Sequence, residues 1–252
     1  MLNIGIMGFG RMGQAIEACL RQEKERQCSS IKVREKKDHP LATTAIDTFL
    51  EHCDVMIDVS RKEALVDYLP HAIHHRKPLV YCVTGLEPHQ HHSLLEAAQF
   101  IPICLAPNTN PTIALMHFFV EHAAKILDDA YDIEIFEAHH RDKIDAPSGT
   151  ALMLGEAAAK GRHSPFDYSY PHQGKRKKGF VGFSSARGGA ISGEHTVSFL
   201  GNDDMLSLTH KSFNRTLYAK GAIVLASMMA QKDPGIYRPH ELFLNDIDLK
   251  SL

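Results

Sequence analysis

The apolar run Leu2–Met7 passes directly into Gly8-Phe9-Gly10-Arg11-Met12-Gly13, and a helix-compatible stretch, Met12–Arg21, follows. A G-x-G-x-x-G set between a strand and a helix limits the fold more than any other feature of this chain. In that geometry Gly8 makes the tight turn, Gly10 admits a pyrophosphate against the backbone, and Gly13 lets helix and strand pack closely. The helix start then offers N–H groups and partial positive charge to phosphates. An ordinary strand-to-helix turn is the alternative. The dinucleotide reading is favoured because the motif opens an alternating β/α pattern, the context it requires.

That pattern continues with strands at Ile31–Arg34, Val55–Val59, Leu79–Val83 and Ile101–Leu105, and helices at Lys62–His75 and His89–Ala98. Short apolar runs separated by helix-length amphipathic stretches imply a parallel, Rossmann-like sheet with crossover helices. The rhythm changes after Ala106-Pro107-Asn108, where a helix with proline in its first turn (Pro111–Leu127) precedes a strand at Asp132–Ala138 and a helix at Thr150–Lys160. Phe180–Arg187, Glu194–Leu200 and Met205–Lys211 read as successive antiparallel strands separated by Gly188-Gly189 and Gly201-Asn202-Asp203-Asp204 turns. A last apolar helix, Arg215–Gln231, is expected to pack back on the first domain. The expected organisation is α/β: a dinucleotide-binding domain from residues 1–108 and 216–252, and an inserted α+β domain, residues 109–215, with an open mixed sheet for substrate binding and oligomerisation.

Composition removes competing classes. The 252 residues carry 28 Lys plus Arg against 30 Asp plus Glu, a net charge of −2, so no global field draws the chain to nucleic acid or lipid. The run Lys175-Arg176-Lys177-Lys178 lacks aromatic platforms and reads as a solvated loop. No apolar run reaches membrane-span length, and the N-terminus reads as a folded strand rather than a leader. Five cysteines with no C-x-x-C spacing suit a reduced, cytoplasmic compartment. His71, His74 and His75 could share a helix face, but without a nearby acidic ligand or general-base glutamate they read as a solvated face, and no metal is expected.

Two further stretches suggest chemistry. The segment Arg34-Glu35-Lys36-Lys37 lies where the second strand should meet the adenine ribose. Glu35 suits the 2′-hydroxyl of NADH, whereas Arg34, Lys36 and Lys37 suit the 2′-phosphate of NADPH, so both chemistries are present. In Glu137-Ala138-His139-His140-Arg141-Asp142-Lys143-Ile144-Asp145-Ala146-Pro147-Ser148-Gly149-Thr150, two imidazoles and an ammonium close a strand, and a Pro-Ser-Gly-Thr turn opens a helix. Cations beside a helix start imply an anionic, carboxylate-bearing ligand. His139, His140 and Lys143 are candidates to move the proton that must accompany hydride transfer to an unsaturated acceptor.

The same stretch resembles the signature of the 4-hydroxy-tetrahydrodipicolinate reductase (dihydrodipicolinate reductase) family, E-x-H-H-x-x-K-x-D-x-P-S-G-T-A. The resemblance extends to Val59-Ser60-Arg61-Lys62-Glu63, Gly193-Glu194-His195-Thr196 and Thr209-His210-Lys211. It implies reduction of 4-hydroxy-tetrahydrodipicolinate with NADH or NADPH in diaminopimelate and lysine biosynthesis, by a homotetramer. It further implies His139 as acid/base and Lys143 as proton donor, with His140, Ser148, Gly149 and Thr150 on the substrate carboxylates. The implied cofactor contacts are Gly8, Phe9, Gly10, Arg11, Met12 and Gly13, then Cys82, Val83 and Thr84, then Ala106, Pro107, Asn108 and Thr109. Cys82-Val83-Thr84-Gly85 departs from the family's Gly-Thr-Thr-Gly, and Thr109-Asn110-Pro111-Thr112 from its Phe-Ser-Val-Gly-like run.

Two rival readings remain. Another dehydrogenase of similar layout, such as an amino-acid dehydrogenase, would keep the glycine loop without the His-His-x-x-Lys segment. A noncatalytic dinucleotide sensor would tolerate loss of Lys143. His195, in a strand, reads as a packing or subunit-contact residue, and Arg215 as either a carboxylate clamp or a hinge brace.

Overall fold

The computed structural model describes residues 1–35, 37–166, 175–176, 179–214 and 216–244; the expectations placed on Lys36, Lys177, Lys178 and Arg215 lie outside them. The chain divides into two compact units, Met1–Pro111 with Thr216–Leu252, and Thr112–Arg215.

In the first unit, β1 (Leu2–Met7), α1 (Arg11–Leu20), β2 (Arg26–Lys32), β3 (Ala42–Thr43), α2 (Ile46–Glu51), β4 (Val55–Asp58), α3 (Leu65–His74), β5 (Leu79–Tyr81), α4 (Pro88–Ala97) and β6 (Pro102–Leu105) follow one another. Every strand pairing in this unit is parallel. Alternation along each strand supplies both faces of the sheet. Ile4 and Ile6 of β1, with Val55 and Ile57 of β4, pack on one side against Ile16 and Leu20 of α1. Met7 and Met56 point the other way, toward Phe49, Leu65, Leu69 and Leu94 of α2, α3 and α4. Helices on both sides explain why these strands read as continuous apolar runs.

The second unit takes α5 (Pro111–Leu127) from Thr112 onward, then β7 (Asp132–His139), α6 (Gly149–Gly161), β8 (Val181–Arg187), β9 (Glu194–Leu200) and β10 (Met205–Lys211). The chain then returns to the first unit with α7 (Thr216–Met229), β11 (Gly235–Tyr237) and α8 (Pro239–Leu244). The first sheet therefore runs β11-β6-β5-β4-β1-β2-β3, and it reverses strand order between β1 and β4. Loops leaving those two strands flank a topological switch point, where open α/β sheets bind ligands. Ala222, Ile223, Leu225, Ala226 and Met229 of α7 complete the core on the α1 side.

The second sheet runs β10-β9-β7-β8 and is mixed. Here the structure corrects the expected succession of antiparallel strands. β9 and β10 form the expected hairpin, but β8 pairs only with β7, in parallel, and β7 separates it from β9. The physical reason is the crossover: the chain leaves β7, passes through α6 and must return parallel. One face is covered by Ile113, Met116 and Val120 of α5 and Leu154, Ala157 and Ala158 of α6, packed on Ile133, Ile135, Phe183, Val197 and Phe199. The opposite face carries Phe136, the Thr196–Thr209 pair and the Ser198–Ser207 pair, each pair hydrogen-bonded at 3.0 Å.

Other expectations also change. β2 begins at Arg26, earlier than the apolar run from Ile31 suggested. Arg176 is not solvated: it pairs with Asp132 and Glu134 and donates to the carbonyls of Ile133 and Phe180. His71 and His75 both hydrogen-bond Asp47 of α2, at 2.8 and 3.0 Å, so an acidic neighbour reaches them from another helix. Among the described residues no group of three such side chains is arranged to hold a metal. No helix among them is long and apolar enough to cross a membrane.

Candidate active site

In the first unit the three glycines of the loop meet three different constraints. Gly8 has φ +92°, and a Cβ there would lie 2.8 Å from the Cα of Ser60. A Cβ on Gly13 would fall 2.1 Å from the carbonyl oxygen of Gly8, whereas at Gly10 it would meet nothing within 4 Å. The first two positions are closed by protein and the third is open to a ligand.

That opening belongs to a cavity of about 890 Å³ lined by Gly8, Phe9, Gly10, Arg34, Glu35 and Lys37 among others. A second cavity, about 270 Å³, is lined by Met12, Cys82, Val83, Thr84, Ala106, Pro107, Asn108 and Thr109, and both share Val59 and Ser60. Of the expected cofactor residues, Arg11 and Gly13 line neither: Arg11 is exposed and Gly13 is buried. Arg34 and Glu35 pair with each other at 3.1 Å. The Lys37 ammonium stands 5.6 Å from the centre of the Phe9 ring.

Ser60 and Asp58 went unassigned in the sequence. Asp58, fully buried at the end of β4, accepts from the backbone N–H and hydroxyl of Ser60 at 2.8 and 2.6 Å and from the Tyr68 hydroxyl at 2.6 Å. Burial raises its carboxyl, and the Ser60 and Tyr68 hydrogen bonds oppose that rise. The turn that faces Gly8 is thereby pinned. Thr109 is pinned too, donating its hydroxyl to the Tyr218 carbonyl at 2.7 Å.

In the second unit His139 ends β7 and His140 follows it. Lys143 lies on the next turn, ion-paired with Asp145 at 2.7 Å. Ser148 caps α6, accepting from the N–H of Ala151 at 3.2 Å, and Gly149 has nothing within 4 Å of where a Cβ would stand. An open helix start of this kind admits a carboxylate.

Beneath these groups lies a network whose pairings the sequence did not reveal. Glu137 is fully buried and meets His139 Nδ1 at 2.5 Å, two nitrogens of Arg187 at 2.8 and 2.6 Å, and the Ser148 N–H at 3.3 Å. Burial would raise the Glu137 carboxyl, but hydrogen bonds from Arg187, Ser185 and His139 bring it down to about 2. Burial also lowers the His139 imidazole, with Glu137 opposing. His195, read as a packing or subunit-contact residue, packs beside these groups: its ring stands 5.1 Å from His139 and its Nε2 lies 3.0 Å from the Ser148 hydroxyl. Only the alternation of β9 hinted that it points inward.

A family model described as dihydrodipicolinate reductase, N-terminus, matches residues 2–109, and the corresponding C-terminus model matches residues 112–243. The chain belongs to the dihydrodipicolinate reductase family. Curated relatives in this family include the 4-hydroxy-tetrahydrodipicolinate reductase of Rickettsia canadensis, 37% identical over 96% of this chain and 99% of the relative. The reductase of Wolinella succinogenes is 38% identical, over 94% of this chain and 97% of the relative. Among solved structures, a dipicolinate-bound dihydrodipicolinate reductase from a Paenisporosarcina species superposes with a TM-score of 0.72 at 19% identity, covering 94% of this chain and 97% of that one. That likeness supports the same fold for this member of the dihydrodipicolinate reductase family.

Proposed function

We propose that this chain is the NAD(P)H-dependent reductase that converts 4-hydroxy-tetrahydrodipicolinate to tetrahydrodipicolinate in diaminopimelate and lysine biosynthesis. The observation that carries the reading is the conjunction, in the second unit, of a histidine–lysine strand end with an open serine-capped helix start. A cyclic dicarboxylate needs both an anion cradle and a proton source.

Each part then has a role. The first unit takes the dinucleotide, with its phosphates over Gly10 where a side chain would otherwise stand. Bound NAD(P)H supplies the hydride. His140, Ser148, Gly149 and Thr150 hold the substrate carboxylates, so the unsaturated carbon is presented beside His139 and Lys143. One of those two delivers the proton that balances the hydride, with His139 as acid/base and Lys143 as donor, and the 4-hydroxyl departs as water, so substrate, NAD(P)H and one proton give tetrahydrodipicolinate, NAD(P)+ and water. The open Ser/Thr face of the second sheet supports subunit pairing in a homotetramer. Five free cysteines support a cytoplasmic setting.

The deciding experiment couples the protein to a dihydrodipicolinate synthase and follows nicotinamide absorbance with NADH and NADPH in turn. Oxidation of the cofactor that depends on the synthase product is expected. No oxidation with either cofactor would overturn the assignment.

A further inference from the structure

We propose that Glu137, held by Arg187, is the positioning residue that sets the tautomer of His139 and ties the imidazole to the carboxylate cradle. The proposal rests on His139 serving as the acid/base. It goes beyond that reading by assigning a role to the buried Glu137 and the half-buried Arg187 that holds it.

The geometry divides the two carboxylate oxygens of Glu137 between two jobs. Oε2 faces His139 Nδ1 at 2.5 Å, and Oε1 accepts the N–H of Ser148 at 3.3 Å. Arg187 donates to both oxygens, and its terminal nitrogens also donate to the carbonyls of Ala186 and Asp145, at 2.7 and 2.6 Å. One guanidinium thus ties β7, β8 and the loop before α6 to a single carboxylate.

An ionised carboxylate only accepts hydrogen bonds. The imidazole nitrogen facing it must therefore carry the proton, so neutral His139 is the Nδ1–H form and Nε2 keeps its lone pair. Protonation then adds the exchangeable proton at Nε2, on the side of the ring away from Glu137. Among the described residues Nε2 has no hydrogen-bond partner.

The charges around the ring make Glu137 necessary. Lys143 from the following loop and Arg187 from β8 both disfavour imidazolium, as does burial, and His195 of β9 packs edge-on as a second imidazole. Glu137 is the only group among these neighbours that favours the charged form. A structural ion pair alone would need only Arg187 and Glu137; the short contact to Nδ1 and the link to Ser148 add nothing to such a role.

The first test uses the unaltered protein. Nitrogen-15 shifts of the imidazoles in the absence of substrate should show neutral His139 protonated at Nδ1, and protonation at Nε2 instead would overturn the proposal. The second compares Glu137→Gln with Glu137→Asp. In Glu137→Gln the His139 titration should move to lower pH, and kcat should fall on the order of a hundredfold with the KM for NAD(P)H unchanged. Glu137→Asp keeps the charge and should recover part of that titration shift. A folded Glu137→Gln protein with the wild-type His139 titration would refute the role; if that variant does not fold, the tautomer in the unaltered protein decides. Because the tautomer is read without turnover, failure of the reductase assay and failure of this assignment are separate results.

Discussion

At the scale of single residues, Gly10 and Gly13 lie in one helical turn yet make opposite predictions. Gly10→Val adds a side chain into open space, so stability should change by less than about 1 kcal/mol, the size of an N-cap effect. With the pyrophosphate placed over Gly10 as proposed, dinucleotide binding should collapse; unchanged affinity by calorimetry would remove the phosphate site. Gly13→Ala drives a methyl into a backbone oxygen that cannot swing away, and should cost about 2 kcal/mol or more in denaturant unfolding. The pair Arg34–Glu35 makes a second residue-scale prediction. Each offers a different chemistry at the ribose, and the 3.1 Å contact lets each compensate the other. The ratio of kcat/KM for NADPH and NADH should lie within about a hundredfold of unity, or about 2.7 kcal/mol. A larger ratio, measured by steady-state kinetics, would show that one of the two does not face the ribose.

At the scale of elements, β9 carries a consequence for pH. His195 is 2% exposed, and burial pushes its imidazole down to about 3 from 6.5, so the folded chain binds fewer protons than the unfolded chain between those values. Stability from its burial is complete above pH 6.5 and is lost as pH falls toward 3, on the order of 5 kcal/mol across the window. Glu137 acts in the same direction lower down, from its unfolded value of 4.5 to about 2. Thermal midpoints measured from pH 7 downward should therefore fall within the histidine window first, and His195→Asn should flatten that slope. An unchanged slope would place the proton uptake elsewhere. The same strand shows how far local patterns reach. Alternation identified β8, β9 and β10, but a period of two says which face is buried and not which strand is the neighbour.

For the whole molecule, the open face of the second sheet is the feature that local folding leaves unfinished. Phe136 stands on it, 41% exposed and opposite Thr196, while Ile133 and Ile135 turn toward the helices. Phe136→Glu should therefore leave the fold and its circular dichroism intact, yet reduce the particle seen by light scattering from an oligomer to a smaller species. A wild-type protein that is monomeric at micromolar concentration, or a variant of unchanged size, would show that this face does not pair.

Much of this protein is written in short segments, and those parts were legible. The glycine loop is a steric requirement spanning six residues, and the buried strands announce themselves because helices cover both faces of their sheet. The His-His-x-x-Lys and Pro-Ser-Gly-Thr groups were legible for the same reason, since a strand end and a helix cap are local events. Very short elements such as β3 and β11 left no period to read. What folding alone decided are the meetings of distant residues: Ser60 against Gly8, Asp47 between His71 and His75, His195 beside His139, and Arg187 on Glu137 from fifty positions away. A buried charge is stable only with its partner, and that partner is chosen by strand pairing, which loop closure and packing determine together.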